Sequence, residues 1–206
     1  MPLTLLHRVA GDHLRGQTAA LMMALGHGAT HWIIATIYVL IPFLAKDIGL
    51  SYAQAGALVS LFHAASFVAN AGSGAIVDIS GRYLRIACVS LVIGALALIS
   101  VGFGDGMSWL ILPIIIIGLT NNLWHPAAIS YLSRTYPNAR GFALSLHTLG
   151  ATMGDILGPL CAGFLLVSLS WQMTALVNAL PIFAVAVIIA IVLGRDATAS
   201  GANHQR

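Results

Sequence analysis

His27 and His31 stand four residues apart in the stretch GHGATHW, a spacing that puts both imidazoles on one face of a helix. His125 follows Asn121 and Asn122 in TNNLWHP, again at helical spacing, and Pro126 is expected to interrupt the hydrogen-bond ladder just after it. Asp155 is the one carboxylate within an apolar run, His147 falls within the same run, and His63 falls within another. Imidazole titrates near neutral pH, and a carboxylate in apolar surroundings is protonated or paired. His27, His31, His125 and Asp155 are therefore candidates for carrying protons. Trp32, Asn121, Asn122, Trp124, His63 and His147 are candidates for lining a solute cavity. Each has a structural alternative: neutral histidines bonded between helices, and tryptophans packed in a core. His27 and His31 could share a metal ion, but nothing fixes a third ligand, so neither metal nor cofactor is assigned. The sequence shows no nucleophile elbow and no phosphate loop, and an enzyme is the least expected reading.

The elements that must position these groups are membrane spans. The sequence has 206 residues, of which 59% are hydrophobic and 7% charged. A soluble domain carries roughly 25% charged residues, so the solvent here is expected to be lipid. A helix needs about 20 residues to cross ~30 Å of hydrocarbon, which leaves room for six spans. They are read at 18–44, 52–77, 84–103, 109–132, 142–169 and 172–194. A segment at 1–17 precedes the bundle, and a polar tail at 195–206 is expected to be without fixed structure. Short loops suggest that sequential helices pack as antiparallel neighbours. Spans three and six, nearly free of ionisable groups, are expected to face lipid. Spans one, two, four and five, which carry the histidines and the acid, are expected to line a hollow.

Charge orients the chain. Arg8, Arg15, Arg82, Arg85, Arg134, Arg140, Arg195 and Arg206 fall on one side, and only Lys46 falls on the other. The positive-inside rule then predicts both termini in the cytoplasm, which requires an even number of spans. The isoelectric point near 9.2 thus reflects topology, and no nucleic-acid partner is expected. Trp109 and Trp171 lie at the outer ends of their spans, where an interfacial belt belongs. Cys88 and Cys161 are placed toward opposite surfaces, so no disulfide is expected.

Between spans two and three runs GAIVDISGRYLR, a tight turn that holds Gly74, Asp78, Gly81, Arg82 and Arg85. The spacing Gly-x-x-x-Asp-x-x-Gly-Arg resembles the loop signature between the second and third helices of the major facilitator superfamily of secondary transporters. Ile79 and Tyr83 stand where that signature usually has basic residues. The resemblance implies an all-α membrane protein of six transmembrane helices, one major facilitator half built from 3+3 inverted repeats, in the cytoplasmic (inner) membrane. It implies that the Asp78 loop acts as a cytoplasmic gate whose partner lies in the other half.

In GATMGDILGPLCAG, Gly150, Gly154 and Gly158 recur every fourth residue, followed by Pro159 and Gly163. Such a ridge lets helices approach closely, and Pro159 is expected to bend the outer part of its helix. The stretch resembles the fifth-helix motif of facilitator antiporters, with Ala162 replacing one Gly, and implies proton antiport and efflux of a small organic or drug-like solute. The same ridge is a candidate seam for a parallel homodimer. The step Trp124-His125-Pro126 is similar to one in the fosmidomycin-resistance-like efflux branch, where Glu usually follows; here it is Ala127. A complete facilitator has about twice this length, so a homodimer, a separate second half or a truncation are all open. A non-transporting six-helix scaffold is the reading from a different class.

Overall fold

The computed structural model describes the backbone of residues 3–203 and the side chains of residues 16–194. Six α-helices account for nearly all of it: α1 (Leu3–Asp47), α2 (Tyr52–Ser80), α3 (Tyr83–Val101), α4 (Met107–Thr135), α5 (Arg140–Leu165) and α6 (Trp171–Asn203). All six are long and apolar enough to cross a membrane, and there is no strand among the described residues. The expected spans and observed helices agree to within a few residues at the inner boundaries. The two ends differ. α1 is already helical at Leu3, so most of the 1–17 segment continues into the first span. α6 runs on to Asn203, so the tail expected to lack structure is helical to that point. Residues 204–206 lie outside the described residues, as do the side chains of Arg8, Arg15, Arg195 and Arg206 used above to orient the chain.

Local chemistry sets the boundaries. Ser51 caps α2 reciprocally: its hydroxyl accepts from the Gln54 N–H at 3.2 Å, and its own N–H donates to Gln54 Oε1 at 2.9 Å. α2 ends at Gly81, whose φ of 61° is left-handed and whose N–H returns to the Val77 carbonyl. That glycine makes the two-residue turn into α3 possible, with Arg82 exposed immediately after it. α4 continues through Pro113 and Pro126, and α5 through Pro159. The expected break after Pro126 is absent, because neighbouring groups can satisfy a freed carbonyl within a bundle.

Chain neighbours are not the main packing partners. The most extensive contacts join α1 to α5, α2 to α4, α3 to α4, α3 to α6 and α1 to α6, while α1 with α2 and α2 with α3 touch little. The expected antiparallel neighbour packing therefore holds for α3 with α4 and fails elsewhere. Gly150, Gly154 and Gly158 of α5 meet Ala24, Gly28 and Trp32 of α1 in ascending order, so α1 and α5 run parallel. Exchanging α1, α2, α3 for α4, α5, α6 turns the α1–α5 contact into α4–α2 and the α3–α4 contact into α6–α1. The packing thus carries the inverted three-helix repeat that no residue-level similarity reveals.

The core lies where α1, α3, α4 and α6 meet, around Ile33, Leu40, Leu91, Leu98, Ile117, Trp124 and Ile182. By contrast α2 and α5 leave large apolar side chains open, among them Phe67 and Phe164. The Gly150-Gly154-Gly158 ridge does not belong to that open surface. A Cβ on Gly150 would overlap the Ala24 carbonyl, and one on Gly154 would overlap that of Gly28. The ridge is consumed inside the bundle, and it cannot be the dimer seam that its sequence suggested. Gly163 has open space around it and takes no part in this approach.

Candidate functional site

The α1–α5 seam and the adjoining face of α4 bring together four of the histidines and the buried-span acid. His27 projects from α1 and is almost fully buried. Its Nδ1 lies 2.8 Å from the His147 carbonyl on α5, and its Nε2 lies 3.1 Å from His125 Nε2 on α4. His125 Nδ1 lies 2.7 Å from the Asn121 carbonyl one turn earlier. His147 stacks on His27, with ring centroids 3.9 Å apart and planes 12° from parallel, and its Nδ1 lies 3.3 Å from the Met23 carbonyl. His31, one turn beyond His27, pairs through Nδ1 with Asp155 Oδ1 at 3.0 Å.

Those carbonyls decide the tautomers. A carbonyl oxygen only accepts, so the Nδ1 of His27, His125 and His147 must each carry the proton. In the neutral rings every Nε2 is then a bare lone pair. Among the described residues His147 Nε2 is buried with no hydrogen-bond partner, and the Nε2 atoms of His27 and His125 lie 3.1 Å apart. Two lone pairs at that distance repel unless a cation sits between them. The neutral rings thus hold acceptor nitrogens that carry no proton of their own. Asp155 and the edge of His31 are the exposed end of the cluster, while His27 and His147 are its buried end.

The other candidate residues divide. Asn121 belongs to the cluster through its carbonyl, and its amide reaches the Thr30 carbonyl at 3.5 Å. Asn122 turns back to the Gly118 carbonyl on its own helix. His63 is separate: it faces outward from α2 and bonds Tyr38 of α1 at 3.0 Å. Trp124 is fully buried, under Gly26 and beside Ile189, so it lines no cavity. Its indole fills space between α1, α4 and α6, which is the packing alternative. Trp32 also turns away from the histidines and donates to Asn178 of α6 at 2.8 Å. It borders an open, almost wholly apolar groove of about 490 Å³ between α1, α5 and α6, from which the four histidines and Asp155 are absent. Trp171 is buried, not set in an interfacial belt: it donates to Asp47 at 2.8 Å and closes the corner of α1 and α6. Trp109 remains half exposed at its span's outer end and donates to the Ser100 carbonyl.

At the basic end, Asp78, Gly81, Arg82 and Arg85 are exposed, and Gly74 is half-buried one turn before Asp78. Arg134 of α4 lies over the Tyr83 ring, 4.9 Å from its centroid, which ties the start of α3 to the end of α4. Cys88 and Cys161 are free thiols. Sequence reading missed Asn178, Tyr38 and Tyr136. Asn178 carried a signal, since a lone amide in an apolar span needs a partner. Tyr136 sits just past α4 yet binds α1, donating to the Gly16 carbonyl at 3.0 Å and accepting from the Ala20 N–H. Its position in a loop hid that role.

Six apolar helices in two inverted triplets, with ionisable groups gathered along an inner seam, define an integral membrane protein of the secondary-transporter architecture. The chain belongs to the Major Facilitator Superfamily, whose family model matches residues 22–206. No curated protein matches the sequence. Among solved structures, the chain is similar to a bacterial homolog of the human lysosomal transporter Spinster in an inward-facing and occupied conformation. The identity is 18% and the TM-score 0.63, over 84% of this chain and 43% of that one. The chain thus spans less than half the length of that transporter.

Proposed function

We propose that this chain forms one half of a secondary active transporter that moves a small organic or drug-like solute outward in exchange for protons. The observation that carries the reading is the cluster of Asp155, His31, His27, His125 and His147, in which His31 meets His27 by ring contact at 4.8 Å between centroids. It runs from an exposed carboxylate to buried imidazoles across three helices, and three of its four rings have a proton-free nitrogen fixed by backbone carbonyls. A proton entering at Asp155 would meet His31, which donates its Nδ1–H to that carboxylate, and beyond it the proton-free Nε2 atoms of the buried rings. Asn121 and the open faces of α2 and α5 would meet solute, and Asp78, Arg82 and Arg85 would latch the cytoplasmic side. Both termini would lie in the cytoplasm at the inner membrane. Transport by rocking requires a second bundle over the open face, supplied by a second copy or by a separate half. With the glycine ridge occupied by α1, the exposed faces of α2 and α5 are the surface such a partner would cover.

The test is flux in proteoliposomes. Asp155→Asn keeps the shape of an exposed side chain and removes its charge. Solute flux driven by a pH gradient should disappear, while solute exchange without a gradient and the thermal midpoint stay near those of the parent. Unchanged coupling to the gradient in that variant overturns the proton role. Absence of any flux by the parent chain, with or without a second half, would favour the scaffold reading.

A further inference from the structure

We propose that His27, His31 and His125 form a binding site for a divalent transition-metal ion of the zinc, cobalt or nickel type. One ring nitrogen from each lies within 4.8 Å of the other two. Metal–nitrogen bonds of about 2.0–2.1 Å place neighbouring ligand nitrogens roughly 3–3.4 Å apart. The His27 and His125 Nε2 atoms are already 3.1 Å apart. Bringing the third nitrogen in from 4.8 Å takes a ring movement of about 1.5 Å to reach bonding distance. His31, which sits beside the exposed Asp155 at the outer end of the cluster, is the ring that would make that movement.

The surroundings point the same way independently. Metal-bound histidines almost always donate their second ring N–H to a carbonyl or carboxylate, which fixes the tautomer and raises ligand basicity. All three rings here do so: His27 to the His147 carbonyl, His125 to the Asn121 carbonyl and His31 to Asp155. The nitrogens left over carry no proton, and those of His27 and His125 lie 3.1 Å apart. A bridging cation removes that repulsion, and a divalent ion does so with all three rings neutral. Three imidazoles suit zinc, cobalt or nickel better than magnesium or calcium, which prefer oxygen. The exposed Asp155 end provides the way in. His147, stacked on His27, holds that ring in place and is not a ligand. Proton carriage and metal binding use the same lone pairs but have separate readouts. Metal binding is measured at equilibrium without any gradient, so either reading can fail alone.

The experiment is cobalt(II) titration of the full, tag-free chain in detergent, followed by its visible ligand-field bands. One equivalent should bind, with zinc displacing it. His125→Gln and His31→Gln should each weaken binding at least about 100-fold, and Asp155→Asn about tenfold as an outer partner. His63→Gln, outside the cluster, should bind like the parent. Thermal midpoints of the variants, compared with the parent, guard against misfolding. Absence of saturable ligand-field bands in the folded parent overturns the proposal. So does binding that survives His125→Gln, or that falls equally in His63→Gln.

Discussion

The close approach of α1 and α5 can be tested with a single methyl group. In Gly154→Ala the new Cβ would overlap the Gly28 carbonyl and lie 2.9 Å from His31 Cβ, whereas ordinary contact begins near 3.4 Å. Both neighbours on the α1 side are backbone or the root of a side chain, so neither can swing away. α1 and α5 must separate, by about 1 Å, and a gap of that size forfeits a quarter to a half of the dispersion energy along the seam. Overpacking of this kind costs about 1–3 kcal/mol. Replacing a helical Gly by Ala returns up to ~1 kcal/mol. Gly163→Ala supplies the reference, because nothing lies within 4 Å of its added Cβ and only the helical gain applies. The two variants should therefore differ by about 1–3 kcal/mol, which for a chain of this length is roughly 3–10 °C in thermal midpoint. The assay is unfolding of each purified variant in one detergent, together with its oligomeric mass. Equal midpoints for the two variants would refute the close approach of α1 and α5. A change in mass without a change in stability would return the ridge to the role of a seam between copies.

Three further outcomes are expected. Trp32→Phe and Asn178→Leu should each destabilise the bundle, and the double variant should show a coupling of about 0.5–1.5 kcal/mol for their 2.8 Å hydrogen bond; strict additivity would show that the bond contributes nothing. His147→Ala should cost about 3 kcal/mol by opening a cavity against His27, whereas His147→Phe, which keeps the stacked ring but loses both the unpartnered Nε2 and the 3.3 Å bond to the Met23 carbonyl, should cost only about 1 kcal/mol; equal losses in both would mean that the stack is not what matters at this position. Accessibility reporters placed before α1 and after α6 should label from the same side of the membrane, and labelling from opposite sides would overturn the six-span topology.

The helices were legible because each apolar run is long and nearly uncharged, so lipid-spanning length and composition decide it without any tertiary information. The ionisable residues that the fold gathers were legible for a similar reason: such a residue within an apolar run is costly enough to mark itself. Partnership was not legible. Sequence spacing places His27 and His31 on one face, but it cannot say that His147, 120 residues later, stacks on the first of them. It suggested neighbour packing, because short loops constrain the ends of helices and say nothing about which faces are complementary. The glycine ridge was found by its period, yet a period carries no address, and the partner is α1 of the same bundle. The tryptophans show the same limit. Trp32 and Trp124 look alike by depth, and only the fold shows that both turn toward α6 or its neighbours and away from the histidines.

The ridge and the histidines are parts of one arrangement. An imidazole reaches only a few ångströms from its own helix, so it can bond a backbone carbonyl on a neighbouring helix only where the two backbones come close. The small residues Gly28, Gly150 and Gly154 create that approach: a Cβ placed on Gly28 would lie 2.9 Å from the Gly150 carbonyl oxygen. The approach brings the His147 carbonyl within 2.8 Å of His27 Nδ1 and the Met23 carbonyl within 3.3 Å of His147 Nδ1. These are the bonds that place the ring protons on Nδ1 and leave Nε2 bare. Bulk at the ridge should therefore act on chemistry as well as on stability: once the helices part, the rings are free to change tautomer, and the lone pairs that attract a cation are no longer fixed. Gly154→Ala should weaken cobalt binding even at temperatures where the variant is fully folded. If a folded Gly154→Ala binds cobalt as the parent does, the link from helix approach to tautomer to cation is broken, whatever its thermal midpoint.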